Sequence, residues 1–202
     1  MTMRDDIVRL LIAAALGLMP LPAVAADRPD IVARADWGAT AATETLMRRQ
    51  TPKGIIIHHT GVRQQKKVSL EKKLRGLQSF SMQPGTLSGT KNKKPAWGDM
   101  PYHFYIDVTG HIGEGRAVAF AGDTNTGYDT DGFIQVVVEG EFETEKPAPE
   151  QLAALDRLTV WLAAEYTVAP DRITGHNDHA PSDCPGKNLK PYLQELRRRV
   201  GG

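Results

Sequence analysis

The stretch Phe133–Tyr166, FIQVVVEGEFETEKPAPEQLAALDRLTVWLAAEY, decides how this chain folds. Its first seven residues, Phe133–Glu139, are the most strand-like run in the sequence, dominated by β-branched side chains. After an acidic link, Pro149 opens a helix in which Leu152, Leu155, Leu158, Leu162 and Tyr166 recur at helical spacing. The same alternation continues outward. Gly54–His58 is a short β-branched strand, and Leu70, Leu74, Leu77 and Phe80 put one apolar face on a helix over Ser69–Met82. His103–Val108 and Ile112–Gly115 flank Thr109 and Gly110 as a hairpin. Arg172–Gly175 reads as a strand and Leu189–Val200 as a final helix. Strands alternating with helices predict an α/β domain, a central mixed sheet flanked by helices. Between Pro84 and Pro95 the sequence PGTLSGTKNKKP predicts an exposed loop with Lys91, Lys93 and Lys94 as a solvated tip.

The 202 residues are 41% hydrophobic and 24% charged, ordinary for a globular protein. Twenty-five basic against 24 acidic residues leave a net charge of +1, which argues against nucleic acid or an anionic membrane as partner. Cys184 is the single cysteine, so an intrachain disulfide and a multi-cysteine metal site are excluded. Residues 1–25 combine a short polar start, the apolar Ile7–Leu21 and the small-x-small triplet Ala23-Val24-Ala25, and read as a signal peptide cleaved after Ala25. The apolar stretch falls short of the about 20 residues of a membrane span and ends at Pro20 and Pro22. The expected mature chain is one domain, residues 26–202, periplasmic or secreted, monomeric, and not inserted in a membrane once cleaved. A free thiol outside the cytoplasm is prone to oxidation, so Cys184 calls for an explanation.

Of six histidines, four sit in two tight groups: His58-His59, and Gly175-His176-Asn177-Asp178-His179. The second group runs straight into Ala180-Pro181-Ser182-Asp183-Cys184-Pro185-Gly186. Imidazole and thiolate are preferred zinc ligands, and a catalytic zinc keeps three protein ligands and one open position. Spacing alone weighs this evenly against solvated or core histidines and a buried hydrophobic cysteine. His58 and His59 point to opposite faces of a strand, so both cannot reach one ion.

In chain order these segments resemble the zinc amidases of the peptidoglycan recognition protein and phage-lysozyme amidase type. Ile31–Ala39 (IVARADWGA) is similar to that family's opening Arg-x-x-Trp-Gly-Ala segment, and Ile56-Ile57-His58-His59-Thr60 to its first zinc strand. Trp97–Phe104 (WGDMPYHF) resembles its central strand, Gly110–Arg116 (GHIGEGR) the hairpin that follows, and Gly175–Gly186 its second zinc segment. The likeness runs from Ile31 to Val200.

The resemblance implies a PGRP/amidase-like fold and zinc ligands at His58, His176 and Cys184, with His179 the rival to His176. It implies Tyr102 as the group that steadies the oxyanion and Ser182 as a second catalytic candidate. At the latter position phage amidases of this type carry lysine and recognition-type amidases threonine, and serine keeps the hydroxyl. His59, Trp97 and Arg116 are the candidate substrate contacts, His59 being otherwise a packing residue, and Arg116, held in the hairpin beside the site, the candidate partner of a stem-peptide carboxylate. Val137 stands where some intracellular relatives place a catalytic glutamate, and valine moves no proton. Asp123–Tyr128 and the 85–94 insertion depart from the family pattern. Two imidazoles and a thiolate around Zn2+ leave a charge of about +1, enough to acidify bound water. The expected activity is cleavage of the amide between N-acetylmuramic acid and L-alanine in peptidoglycan or a muropeptide. The alternatives are a recognition module that binds without cutting, and a structural zinc site closed by His179 or Asp183.

Overall fold

The computed structural model of the protein describes residues 26–86 and 93–202. The signal peptide expected at residues 1–25, and Lys91 of the insertion, lie outside the described residues.

A six-stranded mixed sheet forms the centre, in the order β1-β6-β5-β7-β2-β8. Its strands are β1 (Ile31–Val32), β2 (Gly54–His59), β5 (Phe104–Ile106), β6 (Ile112–Glu114), β7 (Phe133–Val138) and β8 (Ile173–Gly175). Only the β5–β6 hairpin pairs antiparallel; β1–β6, β5–β7, β7–β2 and β2–β8 are parallel. The α/β expectation holds, as does the helix-flanked mixed sheet. Among the described residues three α-helices accompany it: α1 (Leu70–Met82), α2 (Pro149–Glu165) and α3 (Tyr192–Gly201). Ser69 is the N-cap of α1, its hydroxyl accepting from the Lys72 amide. Pro149 begins α2 as foreseen, and the Gln151 side chain accepts from the Ala148 N–H just before it.

Strand alternation divides the side chains between two layers. Ile55, Ile57, Ile134, Val136, Val138, Phe104 and Ile106 face α2 and α3 and pack with Leu155, Leu158, Leu162, Leu193 and Leu196 into the main core. On the other face Val137 and Tyr105 pack with Trp37, Leu70, Leu74 and Met100 beneath α1. There α1 sits close on the sheet, because a Cβ at Gly113 would lie 2.5 Å from Leu74 Cδ1. Leu74 therefore needs glycine opposite it. Strands β2 and β7 are buried on both faces, which is why their sequences read as near-continuous apolar runs.

The insertion differs from the exposed loop expected of it. Gly85–Thr86 (β3) and Lys93–Lys94 (β4) pair antiparallel at its base. Lys94 is buried, not solvated: its ammonium donates to the carbonyls of Ser81 (2.8 Å), Gln83 and Pro95 (3.1 Å) and lies over the rings of Phe80 and Trp97. Carbonyls at the end of α1, those of Ser81 and Gln83, supply two of the three acceptors that make this burial tolerable. Among the described residues no helix is long and apolar enough to cross a membrane.

Candidate metal centre

His58, His176 and Cys184 converge at the C-terminal edge of the parallel strands. Ile57 pairs with Gly175 in the β2–β8 ladder, so His58 and His176 are the next residues along two neighbouring strands. Their ring centroids stand 4.9 Å apart. His176 opens a 3-10 turn, His176–Asp178, and the Asn177 N–H donates to the Cys184 carbonyl at 2.9 Å, folding the following loop back over the strand ends. That brings Cys184 Sγ to 3.5 Å from His58 Nδ1. One donor atom from each of the three residues lies within 4.8 Å of the others, and among the described residues no fourth histidine, cysteine or carboxylate joins them. Tetrahedral zinc bonds of about 2.0–2.3 Å place ligand atoms about 3.3–3.8 Å apart, so a small closure of the present arrangement suffices. The donor set suits zinc in type and number.

The electrostatics agree. Burial, reinforced by the neighbouring His176, pushes the His58 imidazole down to about 3, and burial, followed by the nearby His179, pushes His176 down to about 4. Both rings are therefore neutral at pH 7, the form that binds a metal. Burial pushes the Cys184 thiol up to about 12 against the opposing His59 N–H bond. A cation at its side would favour the thiolate, and an unligated Cys184 stays a protonated, unreactive thiol.

His179 turns away from the centre. Its Nε2 lies 2.7 Å from Thr174 Oγ1, and its ring packs against Tyr128 and Phe133. His59 likewise turns from the centre. Strand alternation carries its side chain to the far side, where Nδ1 accepts from the Phe142 N–H at 3.2 Å, and only its backbone N–H and carbonyl meet the cluster, at Cys184 Sγ. It is a packing residue. Ser182 Oγ accepts from the Cys184 N–H at 3.1 Å, a local turn bond that shapes the ligand loop.

Tyr102 stands beside the centre, its ring 5.2 Å from that of His58, and burial holds its phenol well above the usual tyrosine range. It also lines a groove of about 790 Å³ that runs along α1. Trp97, Phe80, Val62 and Tyr105 give this groove apolar walls, and Arg63 and Lys72 lie exposed along it. Lys73 is already engaged, 2.8 Å from the buried carboxylate of Glu139. Arg116 is a correction. Its side chain is only 1% exposed, and its guanidinium donates to the carbonyls of Met100, Asp99 and Ala121 and to Asp123. Enclosed in this way, it presents no charge to the groove. The carboxylate of Asp123, in the segment that departs from the family pattern, takes one side of it.

Two neighbours of the centre were not read from the sequence. Thr126 Oγ1 lies 2.8 Å from His176 Nε2, and Gln135 Oε1 lies 2.6 Å from His58 Nε2. Gln135 left a signal: it is the only polar side chain within Phe133–Val138.

Residues 48–187 match the Amidase_2 family, described as N-acetylmuramoyl-L-alanine amidase, and the chain belongs to that family. It is 29% identical over 172 residues to peptidoglycan-recognition protein SD of Drosophila simulans, covering 82% of this chain and 84% of that protein. It is 26% identical over 169 residues to the Homo sapiens N-acetylmuramoyl-L-alanine amidase, covering 82% of this chain and 28% of that protein. Among solved structures, Drosophila peptidoglycan recognition protein SD superposes with a TM-score of 0.67 at 26% identity, covering 83% of this chain and 95% of the other.

Proposed function

We propose that this chain is an exported, monomeric, zinc-dependent amidase that cleaves the bond between N-acetylmuramic acid and L-alanine in peptidoglycan or its fragments. The observation that carries the reading is the meeting of His58, His176 and Cys184 beside Tyr102, a residue that lines the groove, with no fourth protein ligand among the described residues. His58, His176 and Cys184 would hold the zinc ion. Bound there, zinc supplies Lewis acidity, activating water and polarising the scissile carbonyl.

The chain's own residues do the rest. Tyr102, protonated at all working pH, donates its hydroxyl toward the carbonyl oxygen as negative charge grows on it. Trp97 and Phe80 offer apolar surface to the faces of a sugar or peptide, and Arg63 and Lys72 offer charge to stem-peptide carboxylates, the task the sequence had assigned to Arg116. Val137, directly beside His58 in the sheet, excludes a carboxylate base at that position. The signal-peptide character of residues 1–25 supports export, to the periplasm or the cell exterior. No nucleic-acid partner is part of this reading.

The test joins metal analysis to mass spectrometry of a peptidoglycan digest, with and without a chelator. Stoichiometric zinc and chelator-sensitive release of free stem peptide is the expected result. Zinc without release refutes the enzyme reading, and zinc-poor binding of muropeptide without release identifies a recognition module instead.

A further inference from the structure

Gln135 is an unusual side chain for its place. It sits in the middle of β7 on the face that bears His58, paired with Ile56 of β2, and is 1% exposed. An amide buried in an apolar strand costs free energy unless its polar atoms are matched. One of them is. Oε1 lies 2.6 Å from His58 Nε2 and accepts from the Tyr128 hydroxyl at 3.3 Å. The other is not: among the described residues Gln135 Nε2 has no hydrogen-bond partner. Packing alone does not account for a glutamine that leaves an amide nitrogen unmatched.

The surroundings fix this amide in position. Its backbone N–H donates to His103 Nδ1 at 2.7 Å, and His103 Nε2 donates in turn to the Phe120 carbonyl at 2.8 Å. A Cβ at Gly122 would fall 2.7 Å from Gln135 Cγ, so glycine there makes the room the side chain occupies. The effect on His58 follows from tautomer logic. An oxygen facing Nε2 keeps the proton on Nε2 and leaves the lone pair on Nδ1, the nitrogen 3.5 Å from Cys184 Sγ. The reversed amide would set an NH2 against Nε2, force the proton onto Nδ1 and bar that nitrogen from a cation.

We propose that Gln135 is the positioning residue of the candidate metal centre, its side-chain oxygen holding His58 in the tautomer that presents Nδ1 to the ion, with the Tyr128 hydroxyl as the oxygen's second partner. The inference rests on the metal-centre reading given above. A neutral amide performs here the service that carboxylates and backbone carbonyls perform behind other metal-bound histidines, and it adds no negative charge to the site.

The experiment measures zinc affinity by competition with a chromophoric chelator for the wild-type chain, Gln135→Met and Gln135→Glu, with urea unfolding of each metal-free protein alongside. Gln135→Met keeps the volume and removes the acceptor, and its zinc affinity falls roughly 10–100-fold. Its metal-free stability is unchanged or lower, because the unmatched amide nitrogen goes with the substitution while the buried His58 Nε2–H and the Tyr128 hydroxyl lose their acceptor. Gln135→Glu restores an acceptor and binds zinc within about threefold of wild type or more tightly. Equal affinity in wild type and Gln135→Met overturns the proposal, as does a Gln135→Glu protein as weak as Gln135→Met. Should Gln135→Met fail to fold, Gln135→Glu decides alone: tight binding supports the role and weak binding ends it. A folded wild-type chain that takes up no zinc refutes the metal-centre reading itself, and the present inference with it.

Discussion

The two faces of the central sheet are made by the same strands and differ in everything else. Toward α2 and α3, β2 and β7 present Ile55, Ile57, Ile134, Val136 and Val138, sealed against leucines. On the face that carries α1, one residue out of step, they present Ile56, His58, Gln135 and Val137. Two of those four are polar, and both belong to the metal centre. One face is a core whose identity matters only through volume and apolarity; on the other, the polar side-chain atoms of His58 and Gln135 are placed against named partners, with Gln135 Nε2 the exception. The sheet thus lends rigidity from its sealed side to chemistry on its open side, and helix α1 covers just enough of the latter to leave the groove.

Substitutions on opposite faces should therefore fail in opposite ways. The largest effect belongs to Cys184→Ser: zinc affinity falls by more than the roughly 100-fold that loss of an outer partner costs, and peptidoglycan cleavage disappears. Metal-free stability by urea unfolding stays within about 1 kcal/mol of wild type. Leu158→Ala, on the sealed side, reverses the pattern, costing about 2–5 kcal/mol of stability while the folded fraction retains its zinc and its turnover. Cleavage lost in proportion to a stability loss in both variants would erase the distinction between the faces.

Next comes Tyr102→Phe, which removes one hydroxyl and nothing else. Turnover should fall roughly 10²–10³-fold with zinc content unchanged, the range found for single oxyanion donors. Unchanged turnover would remove Tyr102 from the reaction.

The groove face also carries a pH signature. Burial lowers the fully buried His103 to about 4, so it is neutral in the native state while its unfolded counterpart titrates near 6.5. Its contribution is complete above that unfolded value and is lost as pH falls toward about 4, because the unfolded chain then binds the extra proton. Urea unfolding at pH 7 and pH 4 should differ by about 3 kcal/mol from this residue, and the pH slope should flatten in His103→Gln. A slope unchanged by the substitution would contradict the assignment.

The smallest effect is the sharpest comparison of all. His59→Gln keeps an acceptor for the Phe142 N–H, so zinc affinity and turnover should stay within about threefold and stability within about 1 kcal/mol. A loss as deep as that of Cys184→Ser would mean that the strand places the wrong histidine at the centre.

What could be read in the sequence divides along the same line. Apolar periodicity gave β2, β7, α1 and α2, because these elements are defined by what they bury. The convergence of His58, His176 and Cys184 was accessible through residue type and family likeness, and strand parity separates His58 from His59. Arg116 and Lys94 defeated the reading for one physical reason. Each is a cation enclosed by backbone carbonyls, and those acceptors come from chain geometry that side-chain identity does not reveal. Gln135 was visible as one amide among apolar neighbours, yet only the sheet register brings it to His58 Nε2.

The most direct test is a crystal structure of zinc-loaded protein with anomalous data collected on both sides of the zinc edge. One strong peak is expected, at about 2.0–2.3 Å from His58 Nδ1, a nitrogen of His176 and Cys184 Sγ, with no fourth protein atom bound. A peak elsewhere, a ligand set that omits any of the three, or a fourth position filled by a side chain would contradict the account.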